Sequence, residues 1–323
     1  MGEAPEVSVV MGVFNNADTL PAALESILSQ EGAELEFIAI DDGSTDGSAA
    51  ILDEAARKDD RLKVVHKKNA GLTRALIDGC ALASAPWIAR QDADDVSLPG
   101  RLRRQLDRAR QADAPVLVSC RAECVVPEGD VLFVTDGLDD PEAARRRVLR
   151  ERRTLSAHGA MLFRKDVYQA VGGYRAEFYY AQDVDLSIRL AEAGRVAVVA
   201  NVLYRFQFAP GTISGRTTRW PRAFYLLILQ SQAARAAGRP DQAILRQALR
   251  LGRRCVECRR KSVSRFPAWY FMGNCLLAAK NPARAVHYFR RALAVRPWSL
   301  RAWIRWLQAR RQTLHASVQE VGA

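Results

Sequence analysis

The most informative stretch of this chain is Trp87-Ile-Ala-Arg-Gln-Asp-Ala-Asp-Asp95. An apolar run that predicts a buried strand ends abruptly in three carboxylates, those of Asp92, Asp94 and Asp95. Carboxylates crowded at a strand end repel one another unless a cation neutralises them, and Mg²⁺ or Mn²⁺ favours such oxygen ligands. The alternative is a solvated acidic turn in which an aspartate caps the helix predicted to begin near Pro99.

Strands and helices alternate on both sides of this stretch. Apolar runs rich in β-branched residues predict buried strands at Val7–Val13, Glu36–Ile40, Leu62–His66 and Trp87–Gln91. Helical spacing of apolar residues predicts helices at Thr19–Gln30, Ser48–Arg57, Leu72–Ala83 and Pro99–Ala109. This alternation is typical of a doubly wound α/β domain with a parallel sheet.

A second acidic cluster follows another of these strands. Asp41 and Asp42 come directly after the second strand, just as Asp92 and Asp94 come after the fourth. The carboxyl ends of parallel strands meet at one edge of the sheet, and ligands of open α/β sheets bind there. Two acidic strand ends at one edge therefore indicate a ligand site rather than solvated loops.

The rest of the chain is less regular and then becomes helical. Shorter elements are predicted as strands near Val116–Ser119 and Met161–Phe163, and as helices over Pro141–Arg153 and Ala181–Leu190. After Thr212 the sequence is helical and basic to its end. We therefore predict an α/β domain over residues 1–215 and an all-α extension over residues 216–323.

The charge is distributed very unevenly along the chain. Residues 1–200 carry 25 Lys and Arg against 33 Asp and Glu, whereas residues 201–323 carry 23 Lys and Arg against three acids. An acidic part joined to a strongly basic one indicates two modules. The basic module is expected to face a polyanion such as nucleic acid or anionic lipid headgroups.

The sequence contains no recognisable targeting or membrane-spanning segment. The N-terminus is acidic and leads straight into a strand, and the longest apolar run, Ala223–Leu229, is far shorter than the roughly 20 residues of a membrane span. Cysteines near each other, Cys120 with Cys124 and Cys255 with Cys258, are interpreted as reduced, mostly buried thiols rather than as a shared zinc site. We expect a cytoplasmic protein.

Five separated motifs together resemble glycosyltransferase family 2. They are Val7-Ser-Val-Val-Met-Gly-Val-Phe-Asn15, Asp41-Asp-Gly-Ser-Thr-Asp46, Asn69-Ala-Gly-Leu72, Asp92-Ala-Asp-Asp95, and His158-Gly159 through Gly172-Gly-Tyr-Arg175 with Gln182-Asp183 downstream. The resemblance runs from Val7 to about Ser214. It implies the GT-A fold, which has a Rossmann-like, mostly parallel central sheet. It also implies a nucleotide-sugar donor and a divalent cation, Mn²⁺ or Mg²⁺.

The resemblance implies that the loop after the first strand holds the nucleotide, through Gly12, Phe14 and Asn15. Gly12 has no side chain, so a ligand can approach its backbone closely. Phe14 contacts the base or, alternatively, is a core aromatic residue. Asp42 resembles the acceptor for the uracil imide, since a carboxylate accepts hydrogen bonds from a ring N–H. A turn aspartate that bonds its own backbone is the alternative, and that interpretation fits Asp46 better.

The remaining donor-site residues follow from the later motifs. Arg74 or Lys68 reaches the pyrophosphate or the base, or each is a solvated surface charge. Asp92 resembles the residue that contacts the ribose or the metal, and Asp94 the one that links the metal to the diphosphate. A cation there neutralises the charge that builds on the departing nucleoside diphosphate. For Asp95 a helix-capping role is favoured over a ligand role.

Asp183 is the candidate general base. A sugar hydroxyl is a poor nucleophile, and a carboxylate within hydrogen-bond reach can remove its proton as it attacks. The family places an acid–Asp pair here, although this chain has Gln182 where Glu is usual. Asp185, the rival, is turned to another face of the helix and is expected at the surface. Direct attack with one such base implies inversion at the anomeric carbon.

The last motifs concern the acceptor and the third metal ligand. His158 precedes a small-residue strand and either lines the acceptor pocket or is a structural histidine. Phe208-Ala209 stand about where the family often has a metal- or diphosphate-binding His, which leaves the third metal ligand open. There is no Q-x-x-R-W motif and no membrane span, so a processive synthase is disfavoured.

The basic extension resembles one tetratricopeptide repeat over residues 268–303. The signature positions are Trp269, Gly273, Ala285, Phe289, Ala292 and Pro297, and Trp303 recurs 34 residues after Trp269. An isolated repeat is not stable, so the extension is expected to pack on the first domain, on a protein partner or on a second copy of the chain.

Pairs of adjacent arginines, with tryptophans nearby, indicate a further partner for the extension, namely an anionic surface. The pairs and runs are Arg253-Arg254, Arg259-Arg-Lys261, Arg290-Arg291 and Arg310-Arg311, near Trp298, Trp303 and Trp306. Docking on an anionic membrane surface, at the cytoplasmic face of the inner membrane, fits best. Nucleic acid and a merely solvated basic face are the alternatives.

The sequence thus predicts a metal-dependent, inverting transfer of a sugar from a UDP-sugar to a glycan or lipid-linked acceptor, as in the synthesis of surface polysaccharides or glycoconjugates. One alternative is a catalytically silent GT-A domain that serves as a binding platform for its helical tail. Another is a nucleotidyltransferase, but the Met11–Asn16 loop lacks the glycines, Arg and Lys which that class carries.

Overall fold

A computed structural model of the protein describes residues 4–138, 140–209, 219–257 and 264–321. The strands are β1 (Val7–Val13), β2 (Leu35–Asp41), β3 (Leu62–His66), β4 (Trp87–Asp92), β5 (Val96–Ser97), β6 (Leu117–Val125), β7 (Val131–Val134), β8 (Leu162–Arg164) and β9 (Val196–Gln207). The first seven helices are α1 (Leu20–Leu28), α2 (Ser48–Lys58), α3 (Leu72–Leu82), α4 (Arg101–Ala109), α5 (Pro141–Leu149), α6 (Lys165–Ala170) and α7 (Gln182–Ala193). The last five are α8 (Arg219–Ala236), α9 (Gln242–Glu257), α10 (Phe266–Ala278), α11 (Pro282–Val295) and α12 (Leu300–Val321).

The strands form one mixed sheet with the order β3-β2-β1-β4-β8-β6-β9-β5, and β7 pairs with β6. The β3-β2-β1-β4 half is parallel, which confirms the doubly wound α/β prediction for the first motifs. β8 then pairs antiparallel with both β4 and β6, and β5 pairs antiparallel with β9. The parallel half supplies the strand ends at which the acidic motifs lie.

β1 and β2 are buried on both faces because helices cover the sheet from each side. All seven residues of β2 are buried, and apolar clusters fill the space on either side of the sheet. α3 packs closely on one face, since a Cβ on Gly79 would lie 2.5 Å from Val10 Cγ1. This close packing holds the loop that precedes α3 against the ends of β1 and β2.

Two predicted elements differ from the structure in instructive ways. α4 begins at Arg101 after Gly100, whose φ of 75° is in the left-handed region, and its start has no side-chain cap. The expected capping role of Asp95 is therefore wrong. β9 was not predicted as a strand, because the polar residues Asn201, Arg205 and Gln207 interrupt its apolar pattern.

The chain forms two compact units. The first consists of Met1–Ala122, Thr135–Phe206 and Trp220–Arg259, so it contains the sheet helices together with α8 and α9. The second consists of Glu123–Val134, Gln207–Arg219 and Arg260–Ala323. The predicted boundary between residues 215 and 216 lies outside the described residues, as do Ile213-Ser214 at the end of the family resemblance, and that division stays a prediction.

Within the second unit, α10, α11 and α12 form the expected helical repeat. Ala285, Phe289 and Ala292 are buried, and a Cβ on Gly273 would lie 2.6 Å from the Phe289 ring. The small residues of the repeat signature therefore allow α10 and α11 to pack closely. Trp269 stacks on Tyr288 at 5.9 Å between ring centroids.

Two further features of the described residues bear on the sequence predictions. In that part of the chain no helix combines the length and the apolar character that a membrane crossing requires. Cys80 and Cys120 are buried, and burial raises the pKa of these thiols to about 12 and about 11. Inert core thiols fit the expectation of reduced cysteines, whereas Cys258 lies outside the described residues.

Candidate active site

The strand register brings the two acidic motifs together. β1 lies between β2 and β4, and its end pairs Val13 with Asp41 on one side and Gly12 with Asp92 on the other. Neighbouring strands of a sheet lie about 4.8 Å apart. The acidic ends of β2 and β4 therefore flank the loop that follows β1, as the sequence predicts.

The loops after β1 and β2 are joined by hydrogen bonds. Asn15, with a left-handed φ of 55°, donates its backbone N–H to Ser44 Oγ at 3.1 Å and accepts at Oδ1 from the backbone N–H of Thr45 at 2.8 Å. Asp46 accepts from the backbone N–H groups of Ala17 and Ser48, as an aspartate at a turn and helix start does. The Asn15 side chain thus shapes the loop itself.

The environment of Phe14 fits one of its two expected roles, whereas that of Gly12 differs from the expectation. Phe14 is 40% exposed, so it is not a core aromatic residue and its ring is accessible to a ligand. A Cβ on Gly12 would lie 3.0 Å from Leu72 Cδ1 and 3.4 Å from Ala75 Cβ. The missing side chain of Gly12 therefore makes room for α3, rather than for a ligand on that side of the strand.

Asp42 is buried and holds the Asn69-Ala70-Gly71 loop. Its two carboxylate oxygens accept from the backbone N–H groups of Ala70 at 2.8 Å and Gly71 at 2.7 Å. Asn69 Nδ2 donates to its backbone carbonyl at 2.9 Å. Each carboxylate oxygen has a further lone pair, so an imide N–H could share this group. The contact explains why the second and third motifs occur together.

Asp41 is equally buried but has a different partner set. Burial opposes its ionisation, yet hydrogen bonds from Ser44 and from His66, whose Nδ1 lies 2.9 Å away, lower the pKa of the Asp41 carboxyl. The same contact with Asp41, and a second with Asp53, raise the pKa of His66. This pair stabilises the end of β2 and β3. Arg74 and Lys68 are exposed nearby.

Asp92 and Asp94 lie beside a buried arginine. Arg90 is 1% exposed and donates to the Asp92 carboxylate and to the backbone carbonyl of Gln91. Burial, and then repulsion by Asp92, raise the pKa of Asp94 to about 6. A cation bound between these carboxylates would remove that repulsion. Arg90 donates to Asp92, and its charge also lowers the pKa of Asp94, but by less than burial and Asp92 raise it.

Asp95 has a structural role, unlike the neighbouring carboxylates of Asp92 and Asp94. It is buried and accepts a hydrogen bond from Tyr204 Oη at 2.9 Å, while the same oxygen accepts from the backbone N–H of Asp92 at 3.2 Å. The phenol thus joins β9 to the acidic loop. A Cβ on Gly159 would lie 1.7 Å from Tyr204 Oη, so the glycine of the His158-Gly159 motif makes room for this contact.

Asp183 is the second residue of α7, whose N-cap residue, Ala181, has a left-handed φ of 59°. Burial raises the pKa of the Asp183 carboxyl, the backbone N–H of Val184 opposes the rise, and repulsion by Asp92 adds to it. The charges of Asp183 and Asp92 therefore act on each other across the site. A carboxylate with a raised pKa is a stronger base for a hydroxyl proton.

Asp185 does not lie at the surface, contrary to expectation. It is 1% exposed and accepts from Arg175 Nε at 3.0 Å and from Arg189 Nη2 at 2.6 Å. Arg175 also donates to Asp241 on the loop before α9 at 2.7 Å. Two residues along the helix do turn Asp185 away from Asp183, but Arg175 and Arg189 cover its carboxylate, and Arg175 also contacts Ser231 of α8.

His158 is in a largely structural environment. Its Nε2 lies 2.8 Å from Tyr174 Oη, and the two rings meet edge to face at 5.8 Å. Burial, and then repulsion by Arg90, lower its pKa to about 3, so the imidazole is neutral. Of the two alternatives, this geometry favours the structural histidine. The charges of Arg90 and Asp92 nevertheless both affect the pKa of the imidazole.

Sequence reasoning missed two buried arginines. Arg101, fully buried on α4, donates to Ser97 Oγ at 2.7 Å and to the backbone carbonyl of Arg90 at 2.8 Å, and lies over the Tyr204 ring at 4.9 Å. Arg90 lies inside an apolar strand pattern, where a charged residue must be paired if it is buried. The charged residue within the otherwise apolar strand was therefore the signal by which the sequence could have indicated a buried, paired arginine.

A metal would have two described carboxylates as ligands. Asp92 and Asp94 are hard oxygen donors, and the repulsion between them, which Arg90 offsets only in part, fits a divalent cation. In the part of the chain that the structure describes, no cluster of three or more His, Cys, Asp or Glu side chains forms a metal site. Phe208, where a family His is often found, packs on Phe271 at 4.9 Å between ring centroids.

Comparisons with known proteins agree with this architecture. The model of glycosyl transferase family 2 matches residues 8–172, and a tetratricopeptide-repeat model matches residues 266–309. EpsE of Bacillus subtilis, named as a glycosyltransferase, is 34% identical over 202 residues, which cover 60% of this chain and 69% of EpsE. ExoO, a succinoglycan biosynthesis protein of Rhizobium meliloti, is 38% identical over 117 residues, which cover 36% of this chain and 33% of ExoO.

Solved structures share the fold at low identity. TarS residues 1–349 of S. aureus, in complex with UDP-GlcNAc, align with a TM-score of 0.59 and 17% identity, covering 98% of this chain and 92% of that chain. The mannosyltransferase PcManGT of Pyrobaculum calidifontis, in complex with GDP-Man and Mn²⁺, aligns with a TM-score of 0.55 and 20% identity, covering 95% and 86%. With the motif order and the family match, these results assign the chain: it belongs to glycosyl transferase family 2 and has a GT-A-type α/β domain followed by a helical region with a tetratricopeptide-like repeat.

Proposed function

We propose that the protein transfers a sugar from a UDP-sugar to a hydroxyl of a glycan or lipid-linked acceptor, as in the synthesis of surface polysaccharides or glycoconjugates. The observation that carries this proposal is the register that places Asp41 and Asp92 on either side of the end of β1. Two similar proteins support this proposal. The structure of TarS contains UDP-GlcNAc, and ExoO is a succinoglycan biosynthesis protein.

The donor is proposed to bind along the loops after β1, β2 and β4. The exposed Phe14 ring and Asp42 would contact the uracil, with Asn15 shaping the loop and Gly12, near the end of β1, making room for α3 beside it. The exposed Arg74 would reach the pyrophosphate, since a guanidinium pairs well with phosphate oxygens. Asp92 would contact the ribose or the cation.

A divalent cation, Mn²⁺ or Mg²⁺, is proposed to bind Asp94 and Asp92. Mg²⁺ is commonly held by one or two carboxylates together with substrate phosphates and water, so Asp94 and Asp92 would be enough protein ligands to hold it beside the diphosphate. The bound cation would supply positive charge to the departing nucleoside diphosphate. The GDP-Man complex of PcManGT with Mn²⁺ supports a metal requirement.

Asp183 is proposed as the general base. Its carboxylate removes the proton of the acceptor hydroxyl while that oxygen attacks the anomeric carbon, and the bond from this carbon to the diphosphate oxygen breaks. Attack opposite to the leaving group inverts the anomeric configuration. His158, Tyr174 and Arg90 would then form the wall behind the acceptor and keep Asp92 in place. The reaction is proposed to be non-processive.

The deciding experiment compares Asp183→Asn with the unmodified protein. Thermal shift with nucleotide sugars, with and without Mn²⁺, identifies the donor, because a ligand that binds the folded state raises the melting temperature. Asp183→Asn should keep that shift and lose transfer. Asp166→Asn, an exposed aspartate paired with Arg164, is the matched control and should keep both.

Two results would contradict the proposal. Normal turnover in Asp183→Asn would remove the base assignment, and equal nucleotide binding by Asp94→Ala with and without Mn²⁺ would remove the cation site. A protein that binds no nucleotide sugar, or binds one without hydrolysis or transfer, would instead favour the silent binding platform. A cytoplasmic location stays a prediction.

A further inference from the structure

Helix α12 has apolar side chains on two opposite faces. The first face is packed within the second unit, where Ala302 and Ala309 are fully buried and Trp306 packs on the cluster around Phe266 and Ala292. This face accounts for the position of α12 against α11. It is fully used by the helical repeat.

The second face of α12 is exposed and also apolar. Its side chains are between 42% and 73% exposed, and they are those of Leu300, Trp303, Ile304, Leu307 and Leu314. Separations of three, four and seven residues place them along one side of a helix. We call this surface the α12 apolar face. Trp303 is held in place, because its indole N–H donates to the backbone carbonyl of Pro297 at 2.7 Å.

Arginines border the α12 apolar face. Between Leu300 and Leu314 the sequence has four arginines and no acidic residue, and the arginines are Arg301, Arg305, Arg310 and Arg311. At 100° per residue, Arg310 and Arg301 fall on the two borders of the face and Arg311 falls within it. All four are exposed. The surface therefore combines apolar area with an uncompensated positive charge.

We propose that the α12 apolar face docks on an anionic lipid bilayer. The helix cannot bury this face by rotating, since its opposite face is already packed against α11. A helix that lies in the bilayer interface combines Trp and Leu on its apolar side with Lys or Arg that contact lipid phosphates. In a purely apolar protein groove the charges of Arg301, Arg310 and Arg311, which border the face or lie within it, would meet no anionic group, whereas anionic headgroups would pair with them.

The proposal does not depend on the transfer reaction, so its test uses no substrate. The full-length protein is mixed with vesicles of phosphatidylcholine alone or of phosphatidylcholine with phosphatidylglycerol, and bound protein is measured by flotation. We expect binding to the anionic vesicles only, and weaker binding when salt rises from about 0.1 M to about 0.5 M.

Matched variants locate the binding surface. Leu307 and Leu82 are exposed to similar extents, 56% and 52%, on different helices. Leu307→Gln should weaken vesicle binding, and Trp303→Gln/Leu307→Gln should weaken it at least about tenfold, since each side chain loses apolar burial. Leu82→Gln should bind as the unmodified protein does. Arg311→Gln should weaken binding to anionic vesicles.

Several outcomes would overturn the proposal. They are binding that is equal on neutral and anionic vesicles, binding that survives the double substitution, and no vesicle binding at all. A self-association that Leu307→Gln abolishes, without any vesicle binding, would assign the face to a second copy of the chain instead. Unchanged melting temperatures would show that the exposed substitutions leave the fold intact.

Discussion

Tyr204 Oη donates to the Asp95 carboxylate at 2.9 Å and accepts the backbone N–H of Asp92 at 3.2 Å. One phenol on β9 therefore fixes both ends of the Asp92–Asp95 loop. Burial, together with repulsion by the Asp95 charge, raises the pKa of this phenol well above its usual value, so it stays protonated and continues to donate. The acidic loop is thus held from the antiparallel side of the sheet by Tyr204, at the start of the segment in which the sequence resembles the closing part of the family domain.

Replacing Tyr204 by Phe should loosen this loop. The change removes the hydrogen bond from Tyr204 to the buried Asp95 carboxylate and the bond from the Asp92 N–H to Tyr204, which costs about 1–3 kcal/mol of stability. Urea unfolding measures the loss, and kcat/KM at limiting Mn²⁺ should fall with it. Tyr225→Phe is the control, because Tyr225 donates only an exposed bond to the carbonyl of Arg152. Equal stability of the two variants would contradict the role of Tyr204.

Gly159→Ala should be strongly destabilising. The new Cβ would lie 1.7 Å from Tyr204 Oη and 2.4 Å from its Cζ, so the phenol or the strand must move. Overpacking of this kind costs about 1–3 kcal/mol or more. Thermal unfolding checks it against Gly47→Ala, where the nearest atom is Ala17 Cβ at 3.6 Å. A variant as stable as the Gly47 control would show that Tyr204 moves freely.

Removing the buried partner of Asp185 should disturb the candidate base on the same helix. Arg175→Met leaves Asp185 with Arg189 alone and breaks the bond to Asp241. Breaking a buried ion pair costs about 3–5 kcal/mol, and kcat should fall because α7 also positions Asp183. Chemical denaturation and steady-state kinetics measure both effects. Arg57→Met, which removes only an exposed pair with Glu54, should change neither.

The stability of the first unit should fall in acid through Glu36. Burial opposes ionisation, but bonds from Lys63, Ser8 and Ser84 outweigh it and lower the pKa of Glu36 to about 2. A lowered folded-state pKa stabilises the protein above the unfolded value of 4.5 and loses that effect as pH falls towards about 2. At neutral pH the lowered pKa of Glu36 contributes about 3 kcal/mol to the free energy of unfolding.

Urea unfolding at several pH values between pH 6 and pH 3 measures this loss of stability. The range spans the unfolded-state pKa of 4.5 by about one unit or more on each side. Glu36→Gln should be less stable at pH 6 and should show a weaker decline towards pH 3, because the ionisable group is gone. Glu25→Gln, an exposed change on α1, should keep the original slope. An unchanged slope in Glu36→Gln would rule out Glu36 as the source of the acid sensitivity.

Much of the first half of the fold was predictable because its signals are local. β1 and β3 begin and end where the apolar runs predict, and β2 and β4 are each extended by one or two residues. Their buried, β-branched runs can only pair within a covered sheet. The β7 and β9 strands were missed, since part of each strand is exposed and their patterns are mixed.

The site residues, too, were partly predictable from the sequence and partly not. The sequence placed Asp41, Asp42, Asp92 and Asp94 at strand ends, and the parallel register then brings those ends to one edge. It did not reveal that Asp95 is bound to Tyr204 or that Asp185 is buried between arginines. Such contacts join residues far apart in the chain, and no local pattern encodes their partners.

By itself, the sequence determined the family, the order of strands and helices in the parallel half, and the carboxylates that the donor site would use. These follow from short-range periodicity and from motifs whose spacing is local. Only the tertiary structure decided which carboxylates remain available. Packing pairs Asp95 with Tyr204 and Asp185 with Arg175, and it leaves Asp94 repelled by Asp92, because burial requires each charge to find a partner and long-range packing alone selects it.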